Sequence, residues 1–348
     1  EIKNGRNVSQ QDEVGRHRVS RIQSISDGTF NKEKTKWTND ELKDSDFLKS
    51  NDILFSHINS IEHVGKTALF NEQESIVHGA NLLRFRTTNP KIHHNFALSI
   101  FKSEKFLATV RSLANQAVNQ ASINTQTLKE IEIPLPPIEV QQQIVDELEG
   151  YQKIIDGCRQ VVENYKPTID IDPSWEMVEL KNLYEANLDS KRVPITKGDR
   201  KTGEIPYYGA SGIVDYVEGY LFDEDLLLIS EDGANLKDRN YPIAFSISGK
   251  TWVNNHAHVL RFNDRISQKY VELYFNQISL EPYLTGSAQP KLNQATLNSI
   301  KVPVPPIETQ QEIVSKLDRQ SALVDGNLEL IETFSQKIQD RIGKVWGE

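Results

Sequence analysis

Two segments of the chain repeat apolar residues at alternating steps of four and three, the spacing of one face of a coiled-coil helix. Residues 138–165 carry the seam Ile144, Leu148, Tyr151, Ile155, Cys158, Val162 and Tyr165. Residues 307–346 carry the seam Ile313, Leu317, Gln320, Val324, Asn327, Ile331, Phe334 and Ile338. At ~1.5 Å per residue, the two predicted helices are about 42 and 60 Å long, which is long enough for a spacer.

The two helices belong to an internal duplication. Residues 133–145 read IPLPPIEVQQQIV, and 169 residues later the chain reads VPVPPIETQQEIV. A duplicated protein can pair its equivalent helices antiparallel about a pseudo-two-fold axis. We therefore expect an intramolecular coiled coil, in which Ile144, Leu148, Tyr151, Ile155 and Val162 of one helix meet Ile313, Leu317, Val324, Ile331 and Phe334 of the other.

Both helices are predicted to begin directly after a run of prolines. Alternating prolines exclude a central strand and disfavour helix in the residues before them. Pro137 and Pro306 suit a first helical turn, where no N–H partner is needed, and Glu139 and Glu308 suit the positive end of the helix. Each half thus ends in a short β-like run, at residues 131–133 or 300–302, and then a helix.

The remainder of each half mixes strand-like and helical patterns, such as the strand-like residues 52–56 and 225–230 and a single helix predicted over residues 94–113. The predicted fold class is α+β, with two tandem α/β domains, each followed by a long helix. The predicted divisions are domain 1–134, helix 135–166, domain 167–304 with a leading linker, and helix 305–348. Trp175 and Leu180 open the second domain and have no counterpart ahead of Glu1, so we expect the first domain to lack its opening strand.

Composition narrows the class of protein. The 348 residues contain no apolar run of ~18, which excludes a membrane-spanning helix. A single cysteine excludes an internal disulfide and a thiolate zinc site, and it fits a reducing, cytoplasmic location. The net charge is -9, and residues 129–172 alone hold 10 acidic and 4 basic side chains. Any surface for a polyanion is therefore expected outside the acidic helices.

Enzyme motifs are present only as fragments. Residues 248–251, SGKT, end like a phosphate-binding loop but lack its first glycine. His256 and His258 share one face of a strand without an evident third metal ligand. The sequence predicts no catalytic residue, no metal and no cofactor.

Polar loops that follow strands are the more informative feature. Such loops offer donors and acceptors that suit the reading of base edges, although the same residues are also common in ordinary turns. The candidate reading residues are Ser56, His57, Asn59, Tyr207, Tyr208, Ser211, Ser230, Asn235 and Gln289. The candidate phosphate-binding cations are Lys66, Arg84, Lys250 and Lys291.

Taken together, these motifs resemble the DNA-specificity subunit of type I restriction-modification systems over essentially the whole chain. The resemblance rests on the paired PxPPIExQQxIV helix starts, residues 205–212 (IPYYGASG), residues 289–292 (QPKL) and residues 54–59 (LFSHIN). It implies two target recognition domains that read a bipartite sequence in double-stranded DNA. It also implies that the helices set the gap and bind two modification (methyltransferase) subunits, which restriction subunits then join.

Two other functions are compatible with the residues. Asp172, Glu179 and Lys181 imitate the metal site of a nuclease, although ordinary surface charge is the better explanation of these residues. The duplicated helices could also belong to a scaffold that organises proteins without binding DNA. Magnesium-dependent cleavage would favour the nuclease, and an absence of salt-sensitive DNA binding would favour the scaffold.

Overall fold

The chain divides into two units in the computed structural model, which describes residues 1–117, 120–166, 168–286 and 289–347. The first unit consists of Glu1–Glu163 and Asn327–Glu348, and the second consists of Asn164–Gly326. The backbone of Ala117 is described without its side chain, and Pro167 of the predicted linker lies outside the described residues. Among the described residues, no helix is both long and apolar enough to cross a membrane.

The first unit is built around a four-stranded antiparallel sheet. The strands of the whole unit are β1 (Ile2–Asn4), β2 (His17–Val19), β3 (Lys36–Thr38), β4 (Asp52–Phe55), β5 (Ile58–Asn59), β6 (Thr67–Phe70), β7 (Ile76–Val77), β8 (Leu83–Phe85), β9 (Asn115–Ala117) and β10 (Gln120–Ser122). The main sheet has the order β1-β8-β4-β6, and two smaller sheets have the orders β3-β2-β7 and β5-β10-β9. Every residue of β4 is buried, because Ile53 and Phe55 face one hydrophobic core while Leu54 faces another.

Four helices follow in the first unit: α1 (His94–Lys102), α2 (Glu104–Leu113), α3 (Thr125–Lys129) and α4 (Ile138–Asn164), whose last residue belongs to the second unit. Residues 94–113, predicted as one helix, are two, because Ser103 is extended and its Oγ caps α2 by accepting from the backbone N–H of Phe106 at 3.3 Å. The apolar faces of α1 and α2 cover the main sheet through Phe96, Ile100 and Phe106.

The second unit repeats this plan with longer strands. They are β11 (Glu176–Glu179), β12 (Ala186–Asn187), β13 (Thr202–Gly209), β14 (Gly212–Val217), β15 (Phe222–Asp223), β16 (Leu226–Ser230), β17 (Ala244–Ile247), β18 (Lys250–Val253), β19 (Ala257–Arg261) and β20 (Lys301–Val304). The main sheet has the order β12-β19-β16-β17 and a second sheet the order β14-β13-β18-β15, while β11 pairs with β20. The helices are α5 (Asn235–Asp238), α6 (Arg265–Gln277), α7 (Gln294–Ser299) and α8 (Ile307–Val345).

A buried glutamine joins each long helix to the proline segment that leads into it, and the one in α4 also bonds to the preceding domain. Nε2 of Gln141 in α4 donates to the carbonyl oxygens of Pro136 at 2.7 Å and Lys91 at 2.9 Å. Gln310 occupies the same position in α8, and its Nε2 donates to the carbonyl of Pro305 at 2.9 Å. An extended proline segment cannot satisfy its carbonyl oxygens within itself, so the glutamines supply the donors.

The helix pairing predicted from the seams is confirmed by the contacts within the first unit. Glu147 of α4 accepts a hydrogen bond from Nε of Arg341 in α8 at 2.7 Å. One turn further along α4, the Tyr151 ring lies 5.4 Å from the Phe334 ring. Rising numbers in α4 meet falling numbers in α8, so the helices run antiparallel. Ile144 and Leu148 are buried in one cluster with Ile342.

The predicted partners at the start of α8 have a different environment. Leu317 and, partly, Ile313 pack in the core of the second unit, together with Ile300 and Val302. The start of α8 therefore serves its own domain, as the start of α4 does in the first unit. Along the rest of the seams, Ile155 is buried, and Val162, Val324 and Ile331 are half-buried, as a coiled-coil face requires.

We expect Leu148→Ala to lower the free energy of unfolding by about 2–5 kcal/mol, because it leaves a cavity where α4 meets Ile342 and the first domain. Val140→Ala, at an exposed position of the same helix, should change it by less than about 0.5 kcal/mol. Urea unfolding followed by circular dichroism gives both values. Equal, small effects would show that this packing does not stabilise the unit.

Candidate nucleic-acid interface

In the second unit, four loops are joined by backbone hydrogen bonds into one surface, which we call the second loop surface. It consists of residues 209–212, 231–235, 254–256 and 285–292, of which Ser287 and Ala288 lie outside the described residues. The N–H of Glu231 donates to His256 at 2.9 Å, and the N–H of Leu292 donates to Glu231 at 2.8 Å. The N–H of Asn254 donates to Tyr208 at 3.0 Å, which brings in the end of β13.

The first unit has an equivalent surface, the first loop surface, formed by residues 56–66 and 115–124. The N–H of Ile123 donates to the carbonyl of His57 at 2.9 Å, which repeats the Leu292 to Glu231 bond 169 residues earlier. β10 pairs with both β5 and β9, so a small sheet holds the loop. Val118 and Asn119, in the middle of the predicted loop 115–120, lie outside the described residues.

A network of charged side chains underlies the second loop surface. Asp189 accepts from Nδ1 of His258 at 2.6 Å, and Glu231 accepts from Nη1 of Arg192 at 2.6 Å. Nζ of Lys291 lies 3.1 Å from the second oxygen of Glu231. Nε2 of His258 lies 2.8 Å from the carbonyl of Leu292, so both ring nitrogens face oxygen acceptors.

This network explains the ionisation of its two carboxyl groups. Burial alone would raise the pKa of Asp189, but the hydrogen bond and charge of His258, the N–H of Val259 and the charge of Arg192 together hold the pKa below its ordinary value. Burial opposes ionisation of Glu231 in the same way, and Arg192, His258 and Lys291 lower its pKa. Both groups are therefore carboxylates at neutral pH.

Asp189, Glu231 and His258 also place one ligand atom each within 4.8 Å of one another, as a metal site would. The cations of Arg192 and Lys291 already neutralise the two carboxylates, however, and both nitrogens of His258 have acceptors. The arrangement is therefore an ion-pair network, and we assign no metal to it.

Several residues predicted to contact DNA in the second unit have structural roles instead. Tyr207 is buried, and its hydroxyl accepts from the N–H of Ile195 at 2.9 Å. Ser230 is fully buried and donates to the carbonyl of Ala210, which fastens the tip of the β13–β14 hairpin. Neither side chain has a path to a DNA groove, because protein encloses it, so we correct these two assignments.

The same correction applies in the first unit. Ser56 and Arg84 are buried in the main sheet region, and His57 is nearly so. Burial lowers the pKa of His57, which favours the neutral ring at neutral pH. Lys66 is half-buried, and its Nζ donates to the carbonyl of Ser26 at 2.8 Å. Ser56, Arg84 and His57 are therefore enclosed by protein and do not face solvent as ligands of DNA, whereas Lys66 keeps part of its surface accessible.

The remaining predicted residues are accessible. Ser211, Gln289 and Lys291 are exposed on the second loop surface. Asn59, Tyr208 and Asn235 are half-buried, and the amide of Asn235 is used in two hydrogen bonds with the backbone of Tyr241. Ser211, Asn235, Gln289 and Lys291 therefore belong to the second loop surface with Tyr208 at its edge, whereas Asn59 belongs to the first loop surface.

The sheet that contains the β13–β14 hairpin carries a second accessible group. Ile213, Val214 and Tyr216 are about half exposed along β14. Exposed lysines lie on or beside the same sheet at positions 197, 201 and 250, and Nζ of Lys250 lies 5.0 Å from the Tyr220 ring. Aromatic and cationic side chains on a two-stranded ribbon suit contact with a polyanion.

Sequence reasoning missed the network partners. Asp189 lies 69 residues from His258, and the sequence contains no spacing that links them. One signal was available: His258 alternates with apolar residues on a buried strand, which indicates an inward-facing polar group that needs a partner.

The nuclease-like residues do not form a metal site among the described residues. Glu179 pairs with Nζ of Lys181 at 2.5 Å, and Asp172 accepts from the N–H of Ser174 at 2.8 Å. Neither carboxylate belongs to a group of potential metal ligands in the described part of the chain.

Comparison with known proteins identifies similar sequences. A family model described as the type I restriction modification DNA specificity domain matches residues 1–164 and again residues 173–339. The type I restriction enzyme MjaX specificity subunit of Methanocaldococcus jannaschii is 29% identical over 387 aligned positions, covering 99% of this chain and 91% of the relative. A specificity subunit of Haemophilus influenzae is 40% identical over 148 residues, covering 42% of this chain and only 38% of the relative.

Solved structures show the same fold. The crystal structure of the S subunit of a type I restriction-modification system from M. genitalium superposes with a TM-score of 0.55 at 15% identity, covering 99% of this chain and 93% of that one. A structure from work on complex assembly and conformational transition of the type I system gives a TM-score of 0.59 at 14% identity, covering 99% and 97%. These values confirm the predicted fold class of two tandem α/β domains, each with a long helix.

Asp189→Asn should destabilise the second unit by about 3 kcal/mol at neutral pH, because His258 and Arg192 lose a buried carboxylate. The pKa of Asp189 is lowered by folding, so its contribution exists above its ordinary value of ~4 and is lost as the pH falls through the folded value. Chemical unfolding at several pH values should show the variant and the parent converging in acid. Asp238→Asn, exposed in the same unit, is the control, and a constant difference across pH would contradict this role.

Proposed function

We propose, because the chain belongs to the type I restriction modification DNA specificity family, that it is the non-catalytic subunit that reads the DNA target of such a complex. Each unit reads one half of a bipartite sequence. The observation that carries this proposal is that the two units present loop surfaces built on equivalent hydrogen bonds, Ile123 to His57 and Leu292 to Glu231. The single cysteine and the proposed DNA target are both consistent with a cytoplasmic location.

The two loop surfaces differ in chemistry, so they suit unlike half-sites. The first presents the exposed amides of Asn115, Gln116 and Gln120, which can donate and accept at an adenine edge. The second presents Gln289 beside the cation of Lys291. Side chains of this second kind suit a guanine edge or a phosphate next to the base that is read.

The sheet with the β13–β14 hairpin supplies contacts that do not depend on sequence. Lys197, Lys201 and Lys250 are exposed there and can neutralise phosphates. The chain carries a net charge of -9, so we expect it to bind DNA weakly alone and more tightly once its partners enclose the duplex. Base modification belongs to a partner that flips the target base out of the stack.

The partners we propose are two modification subunits, which restriction subunits then join. Ile154 and Val161 lie seven residues apart on α4, and each is 39% exposed. Their repeat counterparts on α8, Leu323 and Leu330, are 67% and 43% exposed. Exposed apolar residues at heptad spacing fit an amphipathic helix of a partner, and a duplicated surface fits two identical partners.

The experiment that tests the reading function is to co-express the chain with the modification subunit of its own operon in a host without DNA methylation. Sequencing of methylated positions should reveal a two-part motif with a fixed gap, present only with both chains. Gln289→Ala should relax one half of the motif by about 10–100-fold in discrimination and leave the other half intact.

Gln143→Ala, an exposed glutamine on α4, is the matched control and should leave the motif unchanged. A stable complex that methylates no motif would contradict the reading function and favour the scaffold. If Gln289→Ala relaxed the specificity for both halves of the motif, the assignment of one half to each unit would be contradicted.

The partner surface is tested separately by Ile154→Asp combined with Val161→Asp. A charge in each apolar contact should weaken co-purification of the modification subunit by at least about tenfold, without changing the thermal stability of the chain. Gln143→Asp introduces the same charge on the same helix, about 16 Å from Ile154 along the helix axis. Unchanged binding by the double variant would show that the partner docks elsewhere.

A further inference from the structure

A pocket of about 450 Å³ lies in the first unit, where the edge strand β6 begins. Two of its lining residues are lysines, and each donates to a carbonyl of one turn of the backbone. Nζ of Lys66 donates to the carbonyl of Ser26 at 2.8 Å, and Nζ of Lys102 donates to the carbonyl of Gly28 at 2.9 Å. An ammonium group has three N–H donors, so both lysines keep donors for a ligand in the pocket.

The charges around this pocket do not cancel. Asp27 is the acidic residue of the lining, and Nζ of Lys34 lies 2.7 Å from its carboxylate. That hydrogen bond is the main cause that lowers the pKa of Asp27, so this group is a carboxylate at neutral pH. Three lysines, at positions 34, 66 and 102, therefore surround one carboxylate, and two positive charges remain. Such an excess attracts an anion, although the whole chain carries a net charge of -9.

A buried hydroxyl in the same lining lacks a partner. Thr67 is 2% exposed, and its Oγ1 has no hydrogen-bond partner among the described residues. Its strand partner Phe55 faces the core that α1 and α2 cover, so the hydroxyl lies on the side of Lys102 and Leu107. A buried hydroxyl without a partner costs free energy. A phosphate group accepts hydrogen bonds from ammonium and hydroxyl groups alike, so it would satisfy all three side chains.

The second unit has a pocket at the equivalent place. In the first unit the N–H of Ser56 donates to the carbonyl of Lys66 at 2.8 Å, just before β6. In the second unit the N–H of Ser230 donates to the carbonyl of Ile243 at 2.8 Å, just before β17. Each of these two strands lies at the edge of its main sheet. Ile243 therefore occupies the place of Lys66, and it lines a pocket of about 670 Å³.

Cations line this second pocket as well. The charged residues of its lining are Lys166, Lys237, Arg239 and Glu281. Nη1 of Arg239 donates to the carbonyl of Phe275 at 3.1 Å, so a backbone carbonyl again holds a cation. Lys237 is exposed and belongs to α5, whose first residue, Asn235, is part of the second loop surface. Lys66 is the last residue of the first loop surface. Each pocket therefore adjoins the loop surface of its own unit.

We propose that each of these two pockets binds a phosphate group. Lys66, Lys102 and Thr67 bind it in the first unit, and Lys237 and Arg239 bind it in the second. The position beside the loop surfaces favours a phosphate of the DNA backbone, and free phosphate offers the same oxygens. The two sites are inferred from the pockets alone, and only the DNA source rests on the proposed function. Contacts of this kind fix the position of a reading domain on the duplex and carry no base preference.

The first arm of the test uses inorganic phosphate and the full chain alone. Phosphate replaces chloride at constant ionic strength, and amide NMR follows Gly28, Gly65 and Thr67. We expect shifts that saturate with phosphate and that chloride does not produce. The parent chain gives this result, so it does not depend on the folding of any variant.

Variants then assign the saturating shifts to the lysines of the pocket. Lys66→Met combined with Lys102→Met should abolish saturation, because the phosphate loses both cations. Lys91→Met replaces an exposed lysine of the same unit outside the lining and is the matched control.

The second arm uses the complex with the modification subunit and its DNA target. The logarithm of the binding constant is measured against the logarithm of the salt concentration. Lys66→Met and Lys237→Met should each lower the slope by about 1 and leave the methylated motif unchanged. Lys237 is exposed, so its replacement does not put folding at risk. Lys91→Met should leave the slope as it is in the parent.

The two arms distinguish the sources of the phosphate. A lower slope would identify the source as DNA, and saturating shifts with an unchanged slope would identify it as free phosphate. Absence of both effects would overturn the proposal, and so would a motif relaxed by Lys237→Met, since a phosphate contact carries no base preference. A parent complex without salt-sensitive DNA binding would contradict the proposed function instead, and the first arm would still test the pockets.

Discussion

The glutamine buried at the start of each long helix is the contact on which the architecture depends. A run of prolines leaves its carbonyl oxygens without partners in the chain, and Gln141 and Gln310 satisfy them from the first turn of the helix. Gln141 is enclosed and also donates to the carbonyl of Lys91, so α4 cannot swing away from its domain without leaving polar groups unsatisfied. Gln310 joins α8 to the proline segment before it. The duplicated motif in the sequence thus marks the joint between each domain and its long helix.

The sequence was sufficient for the architecture because the features that define it are periodic. The seams predicted helices over 138–165 and 307–346, and the structure has them at 138–164 and 307–345. Residues 94–113 were predicted less well, because a serine that ends one helix and caps the next leaves no gap in the hydrophobic pattern. The role of the first turns of α8 was also hidden, since the same apolar stripe serves a domain core and a partner helix.

The candidate site was predicted less completely, for a physical reason. Ser56 follows a buried strand and Ser230 ends one, as accessible loop residues often do, but both side chains are buried. Arg84 lies among apolar residues of β8, and neither its type nor its spacing shows that it points inward. The ion-pair network joins residues that are distant in sequence, so only the fold reveals why the second loop surface is held by charge and the first by a small sheet.

Helix α8 runs without interruption through both units, and this has a consequence for the order of folding. Its first half belongs to the second unit, whereas its last turns place Ile342 and Trp346 against the first unit. On a ribosome, domains generally fold from the N-terminus as they emerge. Here the first domain lacks part of its core until Ile342 and Trp346 have been synthesised, which is after the whole of the second domain. The long helix thereby makes completion of the first domain wait for synthesis of the second.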